Sequence, residues 1–128
     1  DVTVVAWGKM ANDTMLAAEV LAGEGIECEV IDPRTLQPFD MDTVIDSVRR
    51  TNHAVIVHEA VRFGGLGGEI AAQIQEQAFD YLDAPVGRVG GPFSPVPFSP
   101  ALEKHWVPDP LSIAEAIRQA VARPLLNR

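Results

Sequence analysis

A glycine-rich segment is the first feature of the sequence whose composition suggests binding chemistry. Residues 64–68 hold four glycines where a predicted strand gives way to a predicted helix, a common place for phosphate binding. The dinucleotide-binding spacing G-x-G-x-x-G fails, because a pattern starting at Gly65 needs glycine where the chain has Ile70. The P-loop pattern lacks its Gly-Lys-Ser/Thr, and Glu69 would set a carboxylate beside any phosphate. We therefore interpret the segment as a tight turn that lets the backbone approach a neighbour closely.

The pair His58-Glu59 looks like the start of a zinc-protease motif. That motif needs a second histidine at position 62, where the chain has Arg62, and neither His53 nor His105 has ligand-like spacing to His58. We expect the pair at the carboxyl end of the third strand, the edge where open α/β sheets place functional loops. A structural or interface role follows, in which Glu59 either accepts from backbone amides of the glycine segment or faces another subunit.

Nucleophilic catalysis finds no support in the sequence. Cys28 is the only cysteine, which excludes an intrachain disulfide and fits a reducing, cytoplasmic setting. It alternates in phase with Ile26 and Val30, so its thiol should point into the core and react poorly. No serine lies in G-x-S-x-G, which excludes an α/β-hydrolase. The sequence therefore predicts no catalytic residue, no metal ligand and no cofactor-binding residue.

The charge of the chain limits its partners. Ten Lys and Arg against 18 Asp and Glu give a net charge of −8, which would repel nucleic acid and attract a basic protein surface. No apolar run approaches the ~20 residues of a membrane-spanning helix. Asp80 and Asp83 follow the helix of the glycine segment, where acids oppose the helix dipole, so they either contact a partner or lie on a solvated face.

Alternating strand and helix patterns must position these residues. The predicted strands are 2–7, 26–31, 54–57 and 85–89. The predicted helices start near Asn12 or Asp13, at Asp40, in the glycine segment (running to about 82) and at Ser112, which forms a capping box with Glu115. This alternation predicts one α/β domain over residues 1–128, a mostly parallel sheet between two layers of helices. The chain starts with Asp inside an apolar strand, so we expect it to be part of a longer protein.

Several segments together resemble the transketolase-like C-terminal domain. They are residues 31–40 (IDPRTLQPFD), 57–60 (VHEA), 64–71 (GGLGGEIA), 82–89 (LDAPVGRV) and 95–98 (PVPF). The nearest resemblance is to the beta subunits of thiamine-diphosphate-dependent 2-oxo acid dehydrogenases, which act on pyruvate, branched-chain 2-oxo acids or acetoin. The His-Glu-Ala at 58–60 leans toward the branched-chain group. Phe93 stands where family members often have Asp.

The resemblance implies a five-stranded, mostly parallel sheet with one antiparallel edge strand. It implies that the full enzyme decarboxylates a 2-oxo acid and acylates a lipoyl group, with thiamine diphosphate and magnesium held by an N-terminal domain and an alpha subunit outside this chain. The C-terminal domain would serve beta–beta pairing in a heterotetramer and docking of the basic subunit-binding module of the lipoyl acyltransferase. The complex would lie in a bacterial cytoplasm, or alternatively in the mitochondrial matrix.

The expected interface residues lie mostly along the glycine segment. They are His58, Glu59, Arg62, Phe63, Gly64, Gly65, Gly67, Gly68, Asp80, Asp83 and Arg88. The stiff apolar stretch 93–98 should pack against another chain or domain. Two alternatives stay open. One is a free-standing α/β module that binds a nucleotide or flavin; the other is the C-terminal domain of a transketolase or deoxyxylulose-phosphate synthase, which acts on sugar phosphates.

Overall fold

Four parallel strands form the central sheet of the chain, of which the computed structural model describes residues 1–122. The strands are β1 (Val2–Ala6), β2 (Cys28–Ile31), β3 (Ala54–Val61) and β4 (Gly87–Gly91), in the spatial order β2-β1-β3-β4. The central strand β1 pairs Val4 with Val30 of β2 and with Val55 of β3. The two central strands are nearly all apolar because helices cover both faces of the sheet.

The expected fifth, antiparallel edge strand is absent from residues 1–122, so that detail of the prediction is wrong. The stretch after β4 holds four prolines between residues 92 and 100. Proline has no backbone N–H to donate to a neighbouring strand, so such a stretch does not extend a sheet. The rest of the predicted architecture, a parallel sheet within an α/β fold, is confirmed.

Five helices form within residues 1–122. They are α1 (Lys9–Ala22), α2 (Met41–Thr51), α3 (Leu66–Ala78), α4 (Pro100–Trp106) and α5 (Pro110–Ala122), with a single 3-10 turn at Phe79–Tyr81. None of the helices within residues 1–122 has the length and apolar character needed to cross a bilayer. Asp40 accepts from the backbone N–H of Thr43 at 3.1 Å, which confirms it as the cap of α2.

Two helix starts differ from the prediction. Helix α1 begins at Lys9 rather than near Asn12, because Gly8 adopts a positive φ of 61° and turns the chain into the helix directly after β1. Helix α5 is capped by Asp109 rather than Ser112. The Asp109 carboxylate accepts from the Ser112 backbone N–H at 2.8 Å, and the Ser112 hydroxyl accepts from the Asp109 N–H at 3.0 Å.

Each face of the sheet has its own hydrophobic core. One core joins alternate residues of β1 and β3, such as Val4 and Val57, to α1 and α5. The other joins the intervening residues, such as Val5 and Ile56, to α2 and α3. This alternation follows from the two-residue repeat of a strand, and it confirms the helix–sheet–helix layering. Cys28 is half-buried at the border of the first core, and its burial raises the pKa of the thiol.

Candidate functional site

The carboxyl end of β3 is irregular, and His58 lies at the irregularity. Val57 pairs with Val89 and Val61 pairs with Gly91. Between these two pairs β3 advances by four residues and β4 by only two, so the register shifts. Irregularities of this kind bend a strand. His58 lies on the same face of β3 as Ile56, two residues earlier, since a Cβ added at Gly67 would meet both side chains, and His58 is 2% exposed. Its Nδ1–H donates to the Ala60 carbonyl at 3.0 Å, which sets the tautomer of the neutral ring.

The glycines of the candidate site leave room for the His58 imidazole. A Cβ added at Gly67 would lie 2.5 Å from His58 Nε2, and one at Gly65 would lie 2.9 Å from Cε1 and 2.3 Å from the Val61 carbonyl oxygen. On β4, a Cβ at Gly90 would lie 3.0 Å from the same ring. The glycine segment was interpreted as a turn that lets the backbone approach a neighbour closely. The group it approaches is the His58 imidazole.

The surroundings of His58 keep it uncharged at neutral pH. Burial lowers its pKa; the hydrogen bond to the Ala60 carbonyl raises it, and the positive charge of Arg88 lowers it further. The ring centroid lies 5.4 Å from that of Trp7, at an interplanar angle of 34°. His58 therefore reaches no partner directly in this fold. Its contribution to an interface would be indirect, through the loop that packs on it.

The loop 62–65 is exposed beyond that buried ring. The Arg62 N–H donates to the Gly91 carbonyl at 2.9 Å, which ties the loop to the end of β4. Gly64 has a φ of 70°, a left-handed conformation that glycine adopts without strain. Glu59 is exposed, and within residues 1–122 no hydrogen bond joins its carboxylate to the glycine segment.

A cavity of about 530 Å³ opens beside this loop. Its lining residues are Arg62, Phe63, Arg88, Val89, Gly90, Gly91, Pro92, Phe93, His105, Trp106, Pro108 and Ser112. We call this cavity the arginine–aromatic groove. Its lining includes no acidic residue, although the chain as a whole carries a net charge of −8.

The predicted site residues divide between the two edges of the sheet. His58, the loop and Arg88 gather at the carboxyl edge, where a Cβ at Gly68 would lie 3.3 Å from Arg88 Nη1. Asp80 and Asp83 do not join them. The Asp83 N–H donates to the carbonyl of Asn52, just before β3 begins, so both acids lie toward the amino edge. Both are exposed.

The glycine segment does not fit a diphosphate. Gly67, in the first turn of α3, is buried against the imidazole, and the same turn carries the Glu69 carboxylate. The imidazole fills the space beside Gly67, and Glu69 adds a negative charge to the turn at which a phosphate would bind. Within residues 1–122, no three His, Cys, Asp or Glu side chains are grouped so that they could hold a metal ion. The alternative of a nucleotide- or flavin-binding module therefore gains no support from this geometry.

Sequence reasoning missed several members of the site. Gly91 packs beneath Trp106, since a Cβ there would lie 2.6 Å from the indole ring. The Trp106 Nε1–H donates to the Ser94 hydroxyl at 3.0 Å, and this contact fixes α4 over the end of β4. Phe93 contacts Phe63, with ring centroids 4.8 Å apart. The Gly90-Gly91 pair was the available signal, because two adjacent glycines ending a strand indicate close approach of another group.

Comparison with known proteins identifies the chain's relatives. Residues 1–113 match the family model described as the transketolase C-terminal domain. Over 127 residues the chain is 42% identical to the beta subunit of the acetoin:2,6-dichlorophenolindophenol oxidoreductase of Bacillus subtilis, covering 99% of the chain and 37% of that relative. It is 44% identical over 118 residues to the pyruvate dehydrogenase E1 component subunit beta of Rickettsia felis, covering 92% of the chain and 36% of that relative.

Two further matches bear on function. The chain is 44% identical to the mitochondrial 2-oxoisovalerate dehydrogenase subunit beta of Dictyostelium discoideum, covering 94% of the chain and 32% of that relative. A solved structure titled "Split gene transketolase, inactive beta4 tetramer" superposes with a TM-score of 0.81 at 31% identity, covering 95% of this chain and 38% of that one. The chain thus spans about a third of the length of the curated relatives it matches.

Proposed function

Because the chain belongs to the family of transketolase C-terminal domains, we propose that it is the C-terminal assembly domain of the beta subunit of a thiamine-diphosphate-dependent 2-oxo acid dehydrogenase. The observation that carries this proposal is 44% identity to the beta subunits of a pyruvate dehydrogenase and a 2-oxoisovalerate dehydrogenase, across more than nine-tenths of the chain; the beta subunit of an acetoin oxidoreductase is 42% identical. The complete enzyme decarboxylates a 2-oxo acid and passes the acyl group to a lipoyl group. Thiamine diphosphate and magnesium bind to parts of the enzyme other than this domain.

The site geometry supports an assembly role rather than a catalytic one. The buried histidine donates to a backbone carbonyl and packs on glycines, so it holds a loop in place instead of facing substrate. The exposed part of the site is a loop and an open groove whose charged members are Arg62 and Arg88. Arginine and aromatic side chains are the residue types enriched where proteins bind one another.

Further surfaces support subunit contacts. Helix α1 exposes about half of each of the side chains of Met15, Leu16 and Val20 on its outer face. Grouped apolar side chains of this kind favour burial against another chain. We assign them to pairing with a second beta subunit or with the alpha subunit. The net charge of −8 favours docking of a basic subunit-binding module of the acyltransferase. The relatives come from bacteria and mitochondria, and of these settings we favour a bacterial cytoplasm.

The proposal is tested on the complete beta subunit, purified with its alpha subunit. The assay follows thiamine-diphosphate-dependent reduction of 2,6-dichlorophenolindophenol with pyruvate, 2-oxoisovalerate or acetoin as substrate. We expect turnover of pyruvate or 2-oxoisovalerate, and loss of the assembled complex, by sedimentation velocity, when residues 1–128 are deleted. Unchanged assembly and turnover after that deletion, or turnover of neither 2-oxo acid, with or without turnover of acetoin, would contradict the proposal.

A transketolase is the second candidate, because the superposed structure is titled as one and shares 31% identity. A transketolase transfers a two-carbon unit between sugar phosphates. Xylulose 5-phosphate and ribose 5-phosphate, offered to the same purified assembly, therefore distinguish the two candidates. Formation of a seven-carbon sugar phosphate, with no dye reduction from the 2-oxo acids, would replace the first candidate by the second.

A further inference from the structure

The arginine–aromatic groove differs in charge from the rest of the chain. We infer that it binds an acidic segment of a different polypeptide, in which a carboxylate pairs with Arg62 or Arg88 and an adjacent apolar side chain packs on Phe63 and Phe93. This inference rests on the proposed assembly function and adds to it. The chain would then have two docking surfaces. The acidic surface would bind the basic subunit-binding module, and the arginine–aromatic groove would bind an acidic segment.

The two arginines of the groove lack carboxylate partners. Three other arginines, Arg49, Arg50 and Arg118, each have a carboxylate oxygen within 3.4 Å. Arg62 and Arg88 have none within 4.0 Å in the part of the chain that the structure describes, and no acid lines their groove. In a chain with 18 acids, two unpaired guanidinium groups that line one groove form a local site of opposite charge. A guanidinium binds a carboxylate in a two-pronged, oriented pair.

The aromatic pair supplies apolar area next to that charge. Phe63 is 72% exposed and Phe93 is 76% exposed, yet their rings are in contact. Two large exposed rings beside arginines have the composition of an interface hot spot. An open groove with walls this exposed cannot enclose a small molecule, which usually buries most of its surface in its pocket. A polypeptide can cover the two exposed rings and pair with the arginines at the same time.

The groove is held in one shape before any partner arrives. The Arg62 N–H bonds to Gly91, Gly91 packs under Trp106, and the Trp106 indole N–H bonds to Ser94. These contacts join the loop after β3, the end of β4 and helix α4. A preformed surface binds more tightly because less order has to be created on binding.

A second copy of this chain is disfavoured as the occupant. A symmetric contact centred on the groove would set the arginines of one copy against those of the other, since the same patch meets itself across a two-fold axis. Like charges so opposed weaken an interface. Self-pairing centred on the groove is thus disfavoured, and the inferred occupant is a different polypeptide, with a carboxylate and an apolar residue side by side.

Zero-length crosslinking in the assembled complex tests the inference. Arg62→Lys and Arg88→Lys variants of the complete beta subunit, each purified with its partners, are treated with a water-soluble carbodiimide. The reagent activates a carboxylate, and the introduced amine attacks it to form an amide with release of a urea. We expect mass spectrometry to find one acidic peptide of another polypeptide joined to position 62 or 88. The native pair Lys9–Asp13 serves as the internal positive control.

Charge reversal provides the second readout. We expect Arg88→Glu to weaken association with that polypeptide at least tenfold, while Arg34→Glu does not, since Arg34 is exposed and lies outside the groove. The inference is wrong if the complex assembles and Lys9 crosslinks, but positions 62 and 88 form no crosslink and Arg88→Glu binds normally. The proposed function stands in that case. Crosslinks only to a second beta subunit also overturn the inference. If the wild-type subunits do not associate at all, the proposed function fails with it.

Discussion

Substitution of Gly67 by alanine probes the contact between the glycine segment and His58. Gly67 and Gly68 are neighbours in the first turn of α3, so both replacements change the same helix in the same place. They differ in what the new methyl group meets. At position 67 it would lie 2.5 Å from the buried imidazole; at position 68 it would lie 3.3 Å from the end of the flexible Arg88 side chain.

The expected energies follow from two opposing effects. Alanine is favoured over glycine within a helix by up to ~1 kcal/mol, and this gain applies to both variants. Forcing a methyl group into a packed interior costs about 1–3 kcal/mol, and this cost applies only to Gly67→Ala. Because the helix gain is common to both, we expect Gly67→Ala to be less stable than Gly68→Ala by about 1–3 kcal/mol, and Gly68→Ala itself to be neutral or to stabilise the fold by up to ~1 kcal/mol.

Urea and thermal unfolding of the two variants, followed by tryptophan fluorescence, measure the difference. Trp7 lies beside His58 and reports the same region. A loss of ~1 kcal/mol corresponds to about 4 °C in Tm for a chain of this size. A His58→Ala background should relieve the clash, so the two substitutions together cost at least ~1 kcal/mol less than their sum. Equal stability of Gly67→Ala and Gly68→Ala would refute the reasoning.

Three other predictions concern single side chains. Because burial lowers the pKa of His58, the unfolded chain binds a proton below pH ~6.5 that the folded chain resists. The unfolding free energy should therefore be largest above that pH and fall as the solution is acidified. His58→Gln should flatten this dependence of the unfolding free energy on pH. Replacement of exposed His105 should preserve the dependence, because His58 remains. Asp109→Ala should cost about 1 kcal/mol in urea unfolding through loss of the α5 cap, and an unchanged midpoint would contradict that role. Ser47→Ala should cost ~1 kcal/mol or more, since it removes the 2.6 Å hydrogen bond to the fully buried Thr3 and the 2.7 Å bond that the Ser47 hydroxyl donates to the Glu29 carboxylate; an unchanged urea midpoint would contradict this role.

The strand and helix pattern of the chain was predictable because its periodicities are strong. Apolar runs in β1 and β3 indicated buried parallel strands, and the 0, 3, 4, 7 spacing from Met41 to Val48 indicated α2. Helix α4 was not predicted. Prolines surround it, and a proline at its first position marks a helix start only once the rest of the helix is recognised.

The sequence predicted where in the fold the candidate site lies, but not which residues form it. The order of elements put residues 58–68 at the carboxyl edge, because parallel strands end their carboxyl termini together. The burial of His58 depends on the close approach of Gly67 and Gly90 to its ring, and those contacts between separate elements are encoded by no local pattern. The cavity beside it joins residues up to 50 positions apart, such as Arg62 and Ser112, so it exists only once α4 and α5 are packed.

The sequence predicted only one sign of charge beside the glycine segment. Glu59 and Glu69 indicated negative charge there. In the fold, Arg88 of β4 lies against the first turn of α3, and Arg62 adds a second positive charge in the same groove. The pairing of Ile56 with Arg88 brings β4 beside the loop. That pairing joins strands distant in sequence, so it could not be predicted from the local sequence.

Calorimetric titration of thiamine diphosphate with magnesium most directly tests the central claim, that this domain assembles the enzyme and holds no cofactor. The titrant is added to the 128-residue chain, after circular dichroism has verified its fold, and to the complete assembly of beta and alpha subunits. The account predicts saturable binding by the assembly and no measurable heat of binding by the chain alone. Micromolar binding by the folded chain would contradict it.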